Sequence, residues 1–163
     1  MRNLLLGMIC ICAMFTGCEK ANDNSVAVSL GNQVTLSYAT EDGQDLLNPN
    51  TLGSMDENDI DLYYKVGEEE VRQFHSNLDS PKHLRIGSDE EGKYYITVYM
   101  DVSLPDGGTS VNILKYKNFR PDTIQATIHK HGYNASYSDL VINGAPVSYE
   151  DLKGFVLVKK LIK

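Results

Sequence analysis

Apolar residues recur at every second position in short stretches, and that period fits strands and little else. Val26, Val28 and Leu30 share one face, and Val34, Leu36 and Tyr38 share another after the Gly31-Asn32 turn. Ile60, Leu62, Tyr64 and Val66 alternate with Asp61, Tyr63 and Lys65. The longest run sets Tyr94, Ile96, Val98, Met100 and Val102 against Tyr95, Thr97, Tyr99 and Asp101. Ile124, Ala126 and Ile128 oppose Thr123, Gln125, Thr127 and His129. Successive side chains of a strand point to opposite faces, so each stretch predicts a strand with one core face and one wet face. Turn residues fall between them: Ser88–Gly92, Pro105–Gly108 and the tight-hairpin pair Asn143-Gly144. Eight or more short strands at regular spacing predict an all-β sandwich.

Two stretches depart from this rhythm. The spacing predicts one helical turn near Tyr149–Lys153, with Ser148 as its cap, Asp151 three residues on and Gly154 closing it. Phe155–Ile162 is apolar on both faces at first and reads as a more buried final strand. Between Tyr38 and Ile60, residues 39–59 show little alternation. Connections of that length are uncommon in compact domains and tend to be functional or separately packed. Leu46, Leu47, Leu52 and Met55 supply apolar anchors, so an ordered loop is expected there.

The N-terminus carries a different signal. One positive charge at Arg2 precedes an apolar run from Leu4 to Phe15, followed by Thr16-Gly17-Cys18. The run is well short of the roughly 20 residues that cross a bilayer, and it matches a secretory leader. Met14-Phe15-Thr16-Gly17-Cys18 resembles the lipobox of bacterial lipoproteins, although that motif favours leucine where Phe15 stands. The resemblance implies cleavage before Cys18, attachment of diacylglycerol to its sulfur and acylation of the new N-terminus. Two or more chains hold a protein stably at a bilayer, whereas one binds marginally. The expected organisation is a leader over 1–17, the lipidated cysteine and a polar tether over 18–24, and one sandwich domain over 25–163. Such a tether reaches about 25 Å when extended, so the domain stays near the membrane.

Cysteine usage agrees with that division. Cys10 and Cys12 lie in the leader, which leaves Cys18 alone in the remainder and excludes a disulfide there. The domain must therefore stand on its hydrophobic core, for which its length suffices. Loss of Arg2 with the leader takes the net charge from −7 to −8. Nucleic acid and anionic headgroups are poor partners for that balance, and the small basic cluster Lys159, Lys160 and Lys163 does not alter it.

Asp45-Leu46-Leu47-Asn48-Pro49-Asn50-Thr51, the acidic Asp56–Asp61 run, Ile60-Asp61-Leu62-Tyr63-Tyr64 and Phe119-Arg120-Pro121-Asp122-Thr123-Ile124 resemble small lipoproteins of Bacteroides-type bacteria. That resemblance spans most of the chain beyond the leader. It implies an immunoglobulin-like β-sandwich exported to the outer membrane or periplasm, and it brings no catalytic residues with it.

Several residues invite a chemical reading. His129 and His131 share one face of a strand about 7 Å apart, a spacing that zinc or copper can use with a third ligand. Thr127 and Gln125 share that face, so a wetted polar surface explains the pair more simply. Asp56, Asp59 and Asp61 supply hard oxygen ligands of the kind calcium prefers, but Ile60 and the missing glycine exclude an EF-hand. A solvated acidic loop is the plainer account. Tyr63, Tyr95 and Tyr99 are placed opposite the core faces, where tyrosine serves contact surfaces and also simply stabilises sheets. Asp122-Thr123-Ile124 resembles the short O-glycosylation signal of Bacteroides-type bacteria, with Thr123 as the acceptor.

Catalytic patterns are missing. The chain has no nucleophile elbow, no zinc-protease helix and no phosphate-cradling glycine loop. The expectation is a non-enzymatic, membrane-anchored module that binds or scaffolds an envelope protein or glycan at the outer membrane. The rival is a small hydrolase with a carboxylate site beneath the 39–59 loop, since carboxylate pairs are spatial and leave no spacing in sequence.

Overall fold

The computed structural model describes residues 31–152 and 156–160. The expected leader, Cys18 with its tether, the strand expected over 26–30 and the closing Gly154 lie outside the described residues.

Ten strands form two sheets among the described residues. The smaller sheet holds β1 (Gln33–Ala39), β4 (Leu84–Ser88), β5 (Tyr94–Tyr99) and β10 (Val156–Val158), in the order β10-β1-β5-β4. The larger holds β2 (Ile60–Val66), β3 (Glu69–Arg72), β6 (Thr109–Tyr116), β7 (Asp122–His131), β8 (Asn134–Ile142) and β9 (Ala145–Pro146), in the order β3-β2-β6-β7-β8-β9. The chain passes between sheets from β1 to β2, from β3 to β4, from β5 to β6 and from β9 to β10. The order β1-β5-β4 facing β3-β2-β6-β7 is that of the B-E-D and C′-C-F-G strands of an immunoglobulin domain. Here β8 and β9 extend one sheet, and β10 lies parallel to β1 at the edge of the other. The expected all-β sandwich is the observed fold.

Alternation sets the facing of each strand. Val34, Leu36 and Tyr38 of β1, Ile96 and Val98 of β5, and Ile124, Ala126 and Ile128 of β7 are all buried between the sheets. Asn143 and Gly144 both take positive φ, 52° and 81°, which closes the predicted two-residue hairpin between β8 and β9. Ser148 caps the single turn α1 (Tyr149–Leu152), its hydroxyl accepting from the Asp151 amide at 3.2 Å. Among the described residues no helix is long and apolar enough to cross a membrane.

The 39–59 connection is ordered, as expected. Its chain doubles back on β1, the Leu46 amide donating to the Tyr38 carbonyl at 3.0 Å and the Met55 amide to the Leu46 carbonyl at 2.8 Å. Leu46, Leu47 and Met55 are sunk in the core, whereas Leu52 sits at a turn tip in solvent and anchors nothing. Asp45 fixes the underside, accepting from the Leu47 amide at 2.9 Å and the Tyr94 amide at 3.0 Å.

Four expectations need correction. Val66 is exposed because β2 runs past the core into the β2–β3 hairpin. Asp101 is buried although alternation puts it outside, because β5 ends at Tyr99 and the chain crosses the end of the sandwich. The final strand is an edge strand among the described residues, where it borders β1 alone, and Val156 and Val158 are exposed. Lys159 leaves the surface cluster entirely: it is buried against Asp122 at 2.5 Å.

Candidate functional site

The end of the sandwich where β1 begins carries a cleft of about 520 Å³. Tyr64 on β2 and the segment Tyr99–Ser103 form its floor and one wall; Leu78–Ser80 and His83, from the β3–β4 connection, form the other. Apolar surface predominates, with Leu78, Met100 and Val102 in the lining. Phe74 and Leu78, both substantially exposed, belong to the same connection.

The β3–β4 connection is built to hold one imidazole in place. Ser80-Pro81-Lys82-His83 is a turn closed by the His83 amide on the Ser80 carbonyl at 2.9 Å. His83 adopts φ 55°, a left-handed conformation uncommon outside glycine though less so for histidine. Its own carbonyl accepts from the Tyr99 amide at 2.9 Å, which ties the turn to the end of β5. The exposed His75 ring packs over the His83 ring at 4.9 Å between centroids, and Tyr64 meets it edge-on at 5.9 Å.

Hydrogen-bond accounting then places a proton on Nδ1. The Tyr64 hydroxyl has one proton and gives it to the Tyr99 carbonyl at 2.8 Å, since a carbonyl can only accept. His83 Nδ1, 2.9 Å from the same hydroxyl, must therefore be the donor in that pair. The neutral tautomer with hydrogen on Nδ1 leaves Nε2 as a bare acceptor. That atom is buried and has no hydrogen-bond partner. Burial first, and the neighbouring His75 second, push the imidazole pKa down, which favours the neutral form.

Beside it the floor is rigid and polar underneath. Asp101 Oδ1 accepts from the Ser103 amide at 2.9 Å and from the Ser103 hydroxyl at 2.7 Å. The Asp101 amide donates to Asn112 Oδ1 at 2.9 Å, and Asn112 Nδ2 donates to Ser110 Oγ at 2.8 Å. Asn112 and Ser110 are fully buried, so this network locks the β5–β6 crossing to the interior of β6.

The residues singled out in the sequence lie elsewhere. Asp56 caps a 3-10 turn over Glu57–Asp59 in a reciprocal arrangement with Asp59. Asp61 accepts from Arg72 at 2.8 Å and pairs with Lys82 at 3.1 Å. Desolvation would raise the Asp61 pKa, but the bonds from Arg72 and Lys82 outweigh it and hold the carboxyl below the usual range. Each of these carboxylates is thus engaged by the chain's own donors. His129 Nε2 contacts the Ser138 hydroxyl at 2.8 Å, and His131 sits exposed at the end of β7. Among the described residues no group of three or more His, Cys, Asp or Glu is placed to share a metal ion. Thr123 is half-buried on β7, its amide held by Asn143 Oδ1 at 2.9 Å. Tyr63, Tyr95 and Tyr99 are half-buried, and the Lys115 ammonium lies 4.3 Å from the centre of the Tyr63 ring. Beneath the 39–59 loop, Asp45 is the carboxylate in contact, and its two oxygens are committed to backbone amides.

Sequence reasoning missed His83, Tyr64 and Asp101 as a group, because three separate segments bring them together. The one available signal was Pro81 two residues before His83, marking a turn with a ring at its end.

What these features define is an all-β sandwich of two packed sheets with a largely apolar cleft at one end. Comparison with models of known families, with curated proteins and with solved structures found no match.

Proposed function

We propose that this protein is a membrane-anchored binding module of the bacterial envelope, lipidated at Cys18, and that the cleft beside His83 receives its ligand. The observation that carries the reading is an apolar cleft with one buried, unpartnered acceptor in its wall. Ligand sites characteristically combine apolar lining with a few placed polar groups. An acceptor without a donor calls for a ligand that is mostly apolar and brings one hydroxyl or N–H. The covering stretch Phe74–Asp79 is exposed throughout, so its movement would open Nε2 to such a ligand at little cost in packing.

The anchor supports the same reading. The lipobox resemblance at Met14–Cys18 and the likeness to Bacteroides-type lipoproteins give the proposed location, an outer-membrane lipoprotein.

The cleft is tested by amide NMR titration with 4-methylphenol, an apolar ring carrying one donor, against toluene, which carries none. The phenol should shift residues 78–83 and 99–103, toluene should shift them less, and His83→Phe should remove the difference. Equal shifts from both compounds, or shifts scattered over the surface, would overturn the assignment. The anchor is tested by Cys18→Ser, which should abolish labelling by a palmitate analogue and release the protein from the membrane fraction.

A further inference from the structure

Tyr38, Tyr116, Asp122 and Lys159 meet at the opposite end of the sandwich, where β1 and β6 finish and β7 starts. Lys159 follows β10 in one sheet and Asp122 opens β7 in the other, so their contact bridges the two layers. Both side chains are sealed, at 6% and 4% exposure, and Nζ lies 2.5 Å from Asp122 Oδ2. The Tyr116 ring centre is 4.4 Å from Nζ. Aromatic walls and burial strip Nζ of the water that keeps it ionised, and desolvation lowers the Lys159 pKa against the pull of Asp122. Moving one proton from Nζ to Oδ2 leaves a neutral amine facing a carboxylic acid.

The other partners of this carboxyl are placed as amide formation requires. Asn143 Nδ2 donates to Oδ1 at 2.8 Å. Tyr116 donates to Oδ2 at 2.6 Å, and the Tyr38 hydroxyl lies 2.6 Å behind it. The Arg120 carbonyl accepts from Nζ at 3.0 Å and so orients the nitrogen. We propose that Lys159 and Asp122 condense into an intramolecular isopeptide bond joining the end of β10 to the start of β7.

The step balances without an oxidant or co-reactant. Neutral Nζ attacks Cγ of the protonated Asp122 carboxyl, forming the N–C bond while negative charge gathers on Oδ1, where Asn143 Nδ2–H holds it. Tyr116 gives its proton to the Oδ2 hydroxyl, the C–Oδ2 bond breaks, and water leaves. The nitrogen then returns a proton to the Tyr116 oxygen, which Tyr38 stabilises meanwhile. One amide forms and one water is lost.

Tryptic mapping of the purified protein tests this whatever has happened at its N-terminus. Trypsin does not cut at Arg120-Pro121, so Asp122 falls in a 118–130 peptide; a linked Lys159 resists cleavage and falls in a 154–160 peptide, whereas a free one ends a 154–159 peptide. The expected result is one branched species at their summed mass less one water, with sequencing that places the link at Asp122 and Lys159. Lys159→Arg and Asp122→Ala should lack it, and Tyr116→Phe should accumulate it more slowly. Two separate peptides at full mass, both fresh and after long incubation at alkaline pH, would overturn the proposal and leave a plain ion pair. Water loss confined to a single peptide, as Asp106-Gly107 can undergo by itself, would overturn it equally. A link forming at an unchanged rate in Tyr116→Phe would remove the assigned proton transfer.

Discussion

Ile96 and Thr97 are neighbours on β5 with opposite fates, one fully buried and the other half-buried on the outer face. Ile96→Ala removes packed methyl and methylene groups and should cost about 2–5 kcal/mol in a urea melt, Thr97→Ala far less. Similar losses at both would mean that the facing of β5 is wrong. His83 makes a prediction of a different kind. Its folded pKa lies below its unfolded one, so the unfolded chain binds more protons in the window between them. Stability is then flat above about pH 6.5 and declines as the pH falls below it, until the folded pKa is reached. Urea midpoints measured from neutral to mildly acidic pH should fall in the parent, and His83→Phe should flatten this part of the decline. The sign would be opposite for a histidine gaining a carboxylate partner.

At the scale of elements, the 39–59 connection behaves as part of the core. Its backbone bonds run to β1 and within itself, and Asp45 fastens it to β5 through the Tyr94 amide. The amides of Leu46 and Met55 should therefore exchange slowly, and equally slowly with and without calcium, because Asp56, Asp59 and Asp61 are engaged in capping and ion pairs. Protection that rises with calcium would show that those carboxylates prefer the ion. The order of this loop was legible in Leu46, Leu47 and Met55, as strand facing was legible in alternation. Alternation is a local property, and it reported faithfully wherever the chain stayed straight. It failed at Asp101 and Val66, where a strand ends or overruns the core, and at Lys159, whose burial is set by a partner 37 residues away. The cleft was illegible for the same reason: Tyr64, His83 and Asp101 are collected by topology, and no spacing encodes that.

For the whole molecule, the Asp122–Lys159 contact is a buried ion pair between sheets that also share the Tyr38–Tyr116 and Tyr64–Tyr99 hydrogen bonds. Measured against parent protein in which the proposed amide has not formed, Lys159→Met would leave a buried carboxylate facing a thioether and should cost about 3–5 kcal/mol, read from the urea midpoint. A loss near zero would show that water reaches the carboxyl in the variant. The placement of β1 has a mechanical side as well. It is an interior strand, laddered antiparallel to β5 on one flank and parallel to β10 on the other. A pull entering ahead of Gln33 acts along the strand axis, so β1 must slide past both neighbours at once. A hairpin at the margin would unzip one bond at a time, whereas here the load is shared across two ladders in shear. Tension applied at Gln33 is thereby resisted by both ladders together.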